Sequence, residues 1–138
     1  MRLGESVERW LREMNLRYFF DPELRAFNGI VVDIKPRIII YFSNGERFLH
    51  IMTLLLPIDK IIESQKSEIY LKLLRKNSEW SLGKFVILFN HLGIKMDIPS
   101  VNVNKKTFLK AFKTIALLYD DYDNLLGEKD EFIEVMYR

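Results

Sequence analysis

The sequence predicts an α+β fold. A single antiparallel sheet of about five to six strands is flanked by three helices, in the order α-β-β-β-β-α-β-β-α. Three observations carry this. Alternation of side chains, the period-two mark of a strand, occurs in two blocks, residues 16–54 and 84–98. Within each block the apolar runs are separated by turn residues and not by helices, so the strands pair as hairpins. Around and between the blocks stand helical stripes.

The first helix is expected from about Ser6 to Met14, where Val7, Trp10, Leu11 and Met14 fall on one face. Ser6 is a suitable N-cap and Glu8 a first-turn acid. The period then changes: Leu16, Tyr18 and Phe20 alternate with Arg17 and Phe19 until Asp21-Pro22-Glu23 breaks the run. Phe27 to Ile34 forms a second strand, ended by Pro36. Arg37 to Phe42, with three successive isoleucines, forms a third. Ser43-Asn44-Gly45 is a hairpin signal, and Glu46 to Leu54 returns antiparallel.

Pro57 and Asp59 mark a new start, with Asp59 as N-cap of a helix to about Lys76. On it Ile62, Ile69 and Leu73 share one stripe, while Leu71 and Leu74 lie on roughly the opposite side, so the helix has two neighbours. One is the sheet, and a second subunit is the candidate for the other. Lys84 to Phe89, a turn at Asn90-His91-Leu92-Gly93, and Ile94 to Ile98 form the closing hairpin, stopped by Pro99. The last helix, about Asn104 to Leu126, places Phe108, Phe112, Ile115, Tyr119, Tyr122 and Leu126 on one face, with Gly127 as its C′ residue. No repeat or linker divides the chain, so residues 1–138 are expected to form one domain, with 128–138 as a tail of undecided structure.

Composition excludes several functions. The 138 residues contain no cysteine, which removes disulfides, thiolate metal sites and cysteine nucleophiles and favours a cytoplasmic setting. The apolar run from Phe48 to Ile58 falls short of the roughly 20 residues a spanning helix needs, so no membrane segment is expected. His50 and His91 have no ligand spacing between them, Gly83 and Gly93 are isolated, and no G-x-S-x-G appears, so neither catalytic residue, metal nor cofactor is assigned. Asp120, Asp121 and Asp123 point in separated directions on a helix and read as a solvated acidic end.

Charge is unevenly distributed: residues 1–59 are neutral, 60–113 carry +7 and 114–138 carry −5. On the last helix Lys106, Lys110 and Lys113 form a stripe opposite Phe108, Phe112 and Ile115, and Lys105 and Lys106 sit in its first turn against the helix dipole. Lys105, Lys106, Lys110 and Lys113 are therefore the candidate binding residues for an anion or an acidic partner. The alternative use of the lysine-rich 60–113 region is association with nucleic acid.

The element order resembles the type III secretion chaperone-like fold, including its YbjN-type relatives. The likeness rests on the opening helix with Trp10-Leu11, and on the hairpin Arg37–Phe42, Ser43-Asn44-Gly45 and Glu46–Leu54 running through Pro57 into the next helix. The closing hairpin Lys84 to Ile98, followed by the helix with Phe108 and Phe112, completes it. It spans roughly residues 5–126 and is one of element order. The resemblance implies a homodimer that binds an extended or partly folded segment of a partner protein, without catalysis. Ile62, Ile69, Leu73, Leu71 and Leu74 are then the candidate dimer contacts. Secretion chaperones proper are typically acidic; this chain, with pI about 8.8, departs from them, which favours a divergent relative with another partner.

Overall fold

The computed structural model describes residues 3–22, 29–79 and 83–126. The elements are α1 (Leu3–Glu13), β1 (Tyr18–Phe20), β2 (Ile30–Val32), β3 (Ile38–Phe42), β4 (Phe48–Pro57), α2 (Lys66–Glu79), β5 (Lys84–Leu88), β6 (His91–Pro99) and α3 (Lys105–Leu126). They follow the predicted order. The six strands form one sheet, β1-β2-β3-β4-β6-β5, and every neighbouring pair is antiparallel.

The three helices share one face of the sheet. Val7, Trp10 and Leu11 of α1, Ile69 and Leu73 of α2, and Phe108, Phe112 and Ile115 of α3 join Ile30, Ile38, Ile40, Ile51 and Ile94 in one buried core. Trp10 and Phe108 hold α1 to α3 through rings 5.4 Å apart, and Tyr18 ties β1 back to α1 by donating to Glu8 and accepting from Arg12. The three-isoleucine run of β3 explains the opposite face. Ile38, Ile40 and Phe42 point into the helical core, whereas Ile39 and Tyr41 join Val31 and Met52 in a smaller cluster on the other side, with Leu54 and Leu88 against it. A strand apolar on both sides is usually covered on both, and among the described residues no helix lies on this outer face.

Four expectations are corrected. The first helix begins at Leu3, not at Ser6, because Leu3 itself packs on the core and extends the stripe back by a turn. The β3–β4 connection is longer than an Asn-Gly turn: Gly45 and Glu46 both take left-handed backbone (φ 72° and 53°), and β4 starts only at Phe48. Asp59 does not cap a helix. Ile61 is buried in the core, which needs extended backbone at Ile61 and Ile62, so α2 starts at Lys66 after two short 3-10 turns. The closing hairpin turns at Phe89-Asn90, with His91, Leu92 and Gly93 inside β6. Part of the Phe27–Ile34 strand, Gly127 and the 128–138 tail lie outside the described residues.

Candidate protein-interaction surface

The margin formed by α2 and β5 is built by the hairpin beside it. Phe89 and Asn90 have φ of 52° and 59°, the two left-handed residues of a type I′ turn, and Leu88↔His91 closes it. In such a hairpin the closing pair exchanges both backbone hydrogen bonds, and bonded and unbonded pairs then alternate. Val86↔Gly93 is accordingly a bonded pair, while the N–H and C=O of Phe85 and Ile87 point outward from the sheet. β5 is an edge strand, and these outward groups are its open side.

The two outward residues differ. Asn77, near the end of α2, takes both backbone groups of Phe85: its Nδ2 donates to the Phe85 carbonyl at 3.0 Å and its Oδ1 accepts from the Phe85 N–H at 2.7 Å. Lys84 Nζ in turn donates to the Asn77 carbonyl at 2.7 Å. Ile87 has no backbone hydrogen-bond partner on its outward side among the described residues. Beside it opens a cleft of about 350 Å³ lined by Tyr70, Leu73, Leu74 and Asn77 of α2 and by Phe85, Val86, Ile87 and Leu92 of the hairpin. None of these side chains carries a charge. Leu74 is 65% exposed and Ile87 51%, and Leu71, one step round the helix, is 50% exposed. Exposed apolar side chains gathered beside an open strand edge are a common mark of a protein-docking surface.

The residues singled out from the sequence fall in three places. Ile69 and Leu73 are buried against the sheet, Ile62 lies outside α2, and only Leu71 and Leu74 of that set present apolar surface on the exposed side of the helix. Lys106, Lys110 and Lys113 lie exposed along α3. Lys105 instead reaches α1 and donates to Glu13, and that bond together with the lysine's charge holds the Glu13 carboxyl below the usual carboxylate range. The α3 N-terminus is capped by a reciprocal pair: Asn104 N–H donates to Thr107 Oγ1, and Thr107 N–H donates to Asn104 Oδ1, both at 2.9 Å. Asn77, Tyr70 and Ile87 were not legible as site residues, because an edge strand is defined by what fails to pair with it, and a single strand's alternation does not report that.

The outer face of the sheet carries a second depression, of about 330 Å³, lined by Phe19, Asp21, Val31, Arg37, Ile39 and Leu54. Beyond it His50 stacks on Tyr41 with centroids 4.6 Å apart and its Nδ1 lies 2.6 Å from Asp97 Oδ1. Lys95 sits 5.7 Å above the Tyr41 ring and 3.3 Å from Asp97. Burial alone would lower the Lys95 pKa, but Tyr41 and the Asp97 carboxylate outweigh it and hold the ammonium above its ordinary value. Among the described residues no group of three or more His, Asp or Glu side chains is placed to hold a metal ion. No described helix is long and apolar enough to cross a membrane.

No family model matches the chain, and no curated protein matches it significantly. Solved structures do. The chain has the type III secretion chaperone-like fold that the element order predicts, in the form shared with YbjN. A chain of the ExsC–ExsE complex superposes with a TM-score of 0.60 at 14% identity, over 91% of this chain and 97% of that one. YbjN from E. coli superposes with a TM-score of 0.68 at 9% identity, over 96% of each chain. An uncharacterized protein from Methanothermobacter thermautotrophicus gives 0.58 at 17% identity, covering 93% and 96%.

Proposed function

We propose that this chain is a non-catalytic, cytoplasmic protein-binding module that takes an extended or partly folded segment of a partner protein along the α2–β5 margin. The observation that carries the reading is the open backbone of Ile87 beside an uncharged cleft walled by the exposed Leu74. An added strand gains main-chain hydrogen bonds from such an edge and seats alternate side chains in the adjoining cleft. The likeness to a chain of a two-protein complex, ExsC–ExsE, supports the same class of role. We propose further that the chain is a homodimer. Its contact falls to Leu71, since Ile69 and Leu73 are used by the core and Leu74 walls the cleft. We propose the exposed α3 lysines, Lys106, Lys110 and Lys113, as a separate site for acidic parts of the partner.

Two substitutions test this with the full-length chain as bait in native extract, with and without nuclease. Ile87→Pro removes the outward N–H while leaving the β5–β6 ladder, since proline is tolerated where an edge N–H faces solvent. Leu74→Glu places a charge in the cleft. Capture of a defined protein, insensitive to nuclease and lost in both variants, is the expected result. Capture unchanged in both would overturn the reading. Leu71→Lys is expected to shift a sedimentation profile from dimer to monomer, and a monomeric parent chain would refute the dimer.

A further inference from the structure

The depression on the outer face of the sheet has an apolar floor, where an uncovered antiparallel face ordinarily turns polar side chains to water. Val31 of β2 and Ile39 of β3 are buried there, with Leu54 of β4 beside them. Its wall carries different chemistry. Phe19 is exposed, and the Arg37 guanidinium lies over its ring, 5.8 Å from the centroid. Arg37 is fixed at two further points: buried Thr53 donates to its carbonyl at 2.7 Å, and its Nε lies 3.5 Å from Asp33 Oδ1. A guanidinium has five N–H donors, four of them on the two Nη groups. Among the described residues no side chain or carbonyl accepts from those four.

We propose that this depression is a binding site for a small apolar monocarboxylate, an aliphatic or aryl acid. The Nη groups of Arg37 hold its carboxylate, and Val31, Ile39 and Leu54 take its apolar body. The planar fork of a guanidinium matches the two oxygens of a carboxylate through parallel N–H···O bonds. Holding that fork on a ring, a carboxylate and a backbone bond before the ligand arrives lowers the ordering cost of binding. Asp33 offsets part of the Arg37 charge, so the grip comes from the fork at short range and not from distant attraction. Asp21 lines the same depression and adds a negative charge to it, which disfavours a second carboxylate or a phosphate dianion. What fits is one anionic group at one end of an apolar body. The volume of about 330 Å³ stands at the small end of ligand sites, suited to an acid the size of octanoate. None of the lining residues belongs to the α2–β5 cleft, so the site stands apart from the docking reading.

The test is a nuclear magnetic resonance titration of the isotope-labelled full chain with sodium octanoate at fixed ionic strength. It follows the methyl groups of Val31, Ile39 and Leu54 and the Nε–H of Arg37. Saturable shifts of all four are expected, with 1-octanol binding at least about ten-fold more weakly, the worth of hydrogen bonds to a charged group. Arg37→Ala is expected to weaken octanoate by a similar factor and leave octanol unchanged. Arg37→Lys keeps the charge without the fork and should restore only part of the loss, which separates bidentate recognition from simple attraction. Octanol binding as tightly as octanoate, or octanoate binding equally well to Arg37→Ala, would overturn the carboxylate site. So would octanoate that moves none of these resonances. Methyl shifts that follow protein concentration without any acid would assign the face to a contact between copies of the chain, and would overturn it too.

Discussion

Gly93 lies opposite Leu54 at the point where β4 slips register against β6, and its missing side chain is a packing requirement. A Cβ there would stand 3.0 Å from the Thr53 carbonyl oxygen and 3.2 Å from Met52 Cε. The first neighbour is backbone held in the ladder and does not yield cheaply, whereas the second is the flexible end of a buried methionine. Gly93→Ala is expected to lower unfolding free energy by about 1–3 kcal/mol in urea titration, the usual range for overpacking a core. A second residue-level expectation concerns Glu13. Its carboxyl is held below the ordinary value by Lys105, so the folded chain keeps it charged at pH values where the unfolded chain protonates it. The contribution is present above the usual carboxylate pKa and is lost as pH falls through the depressed folded value. Lys105→Ala is expected to return the Glu13 titration, followed by carboxyl carbon shifts, toward the ordinary value.

At the scale of elements, α3 is the part of the fold that sequence periodicity reads best. Phe108, Phe112 and Ile115 all lie in the core, as their spacing requires, and Phe108 is fully buried between Trp10 and Phe112. Phe108→Ala is therefore expected to cost about 3–5 kcal/mol, measured by chemical denaturation. The strands of the two hairpins were legible because alternation is local, but their turns were not: left-handed Gly45 and Glu46 lengthen the first, and the second closes at Phe89-Asn90. α2 was legible only in part. Its apolar residues, from Ile61 to Leu74, are dense enough to suggest a helix from Asp59, yet Ile61 enters the core from extended backbone and leaves Ile62 off the stripe. That choice is made by the shape of the core beneath it, which no local pattern carries. Leu71 and Leu74 were readable as a second apolar side, but the strand edge at Ile87 that gives Leu74 its setting becomes visible only once six strands are ordered.

The distribution of cations is a property of the whole molecule, and it bears on two readings that sequence alone leaves open. Eleven basic residues lie between 60 and 113, enough on paper for a phosphate-binding patch. The fold sets Lys95 apart from the lysines of the helices. Lys95 projects from the outer face of the sheet, over Tyr41, whereas α2 and α3 cover the inner face. Lys66 is paired with Glu63, Lys76 with Glu79 and Lys95 with Asp97. A nucleic acid lying on one side of the molecule meets the α3 stripe of Lys106, Lys110 and Lys113 but not Lys95. The three lysines of that stripe alone would give a slope of log affinity on log salt of about −2.7, shallow beside dedicated DNA-binding proteins. Retention on mixed-sequence DNA is thus expected to be weak and lost by roughly physiological salt, and Lys106→Glu, Lys110→Glu and Lys113→Glu together should abolish it. A steep salt slope surviving the triple variant would mean that cations from both layers converge on one strand, and would move the function toward nucleic acid.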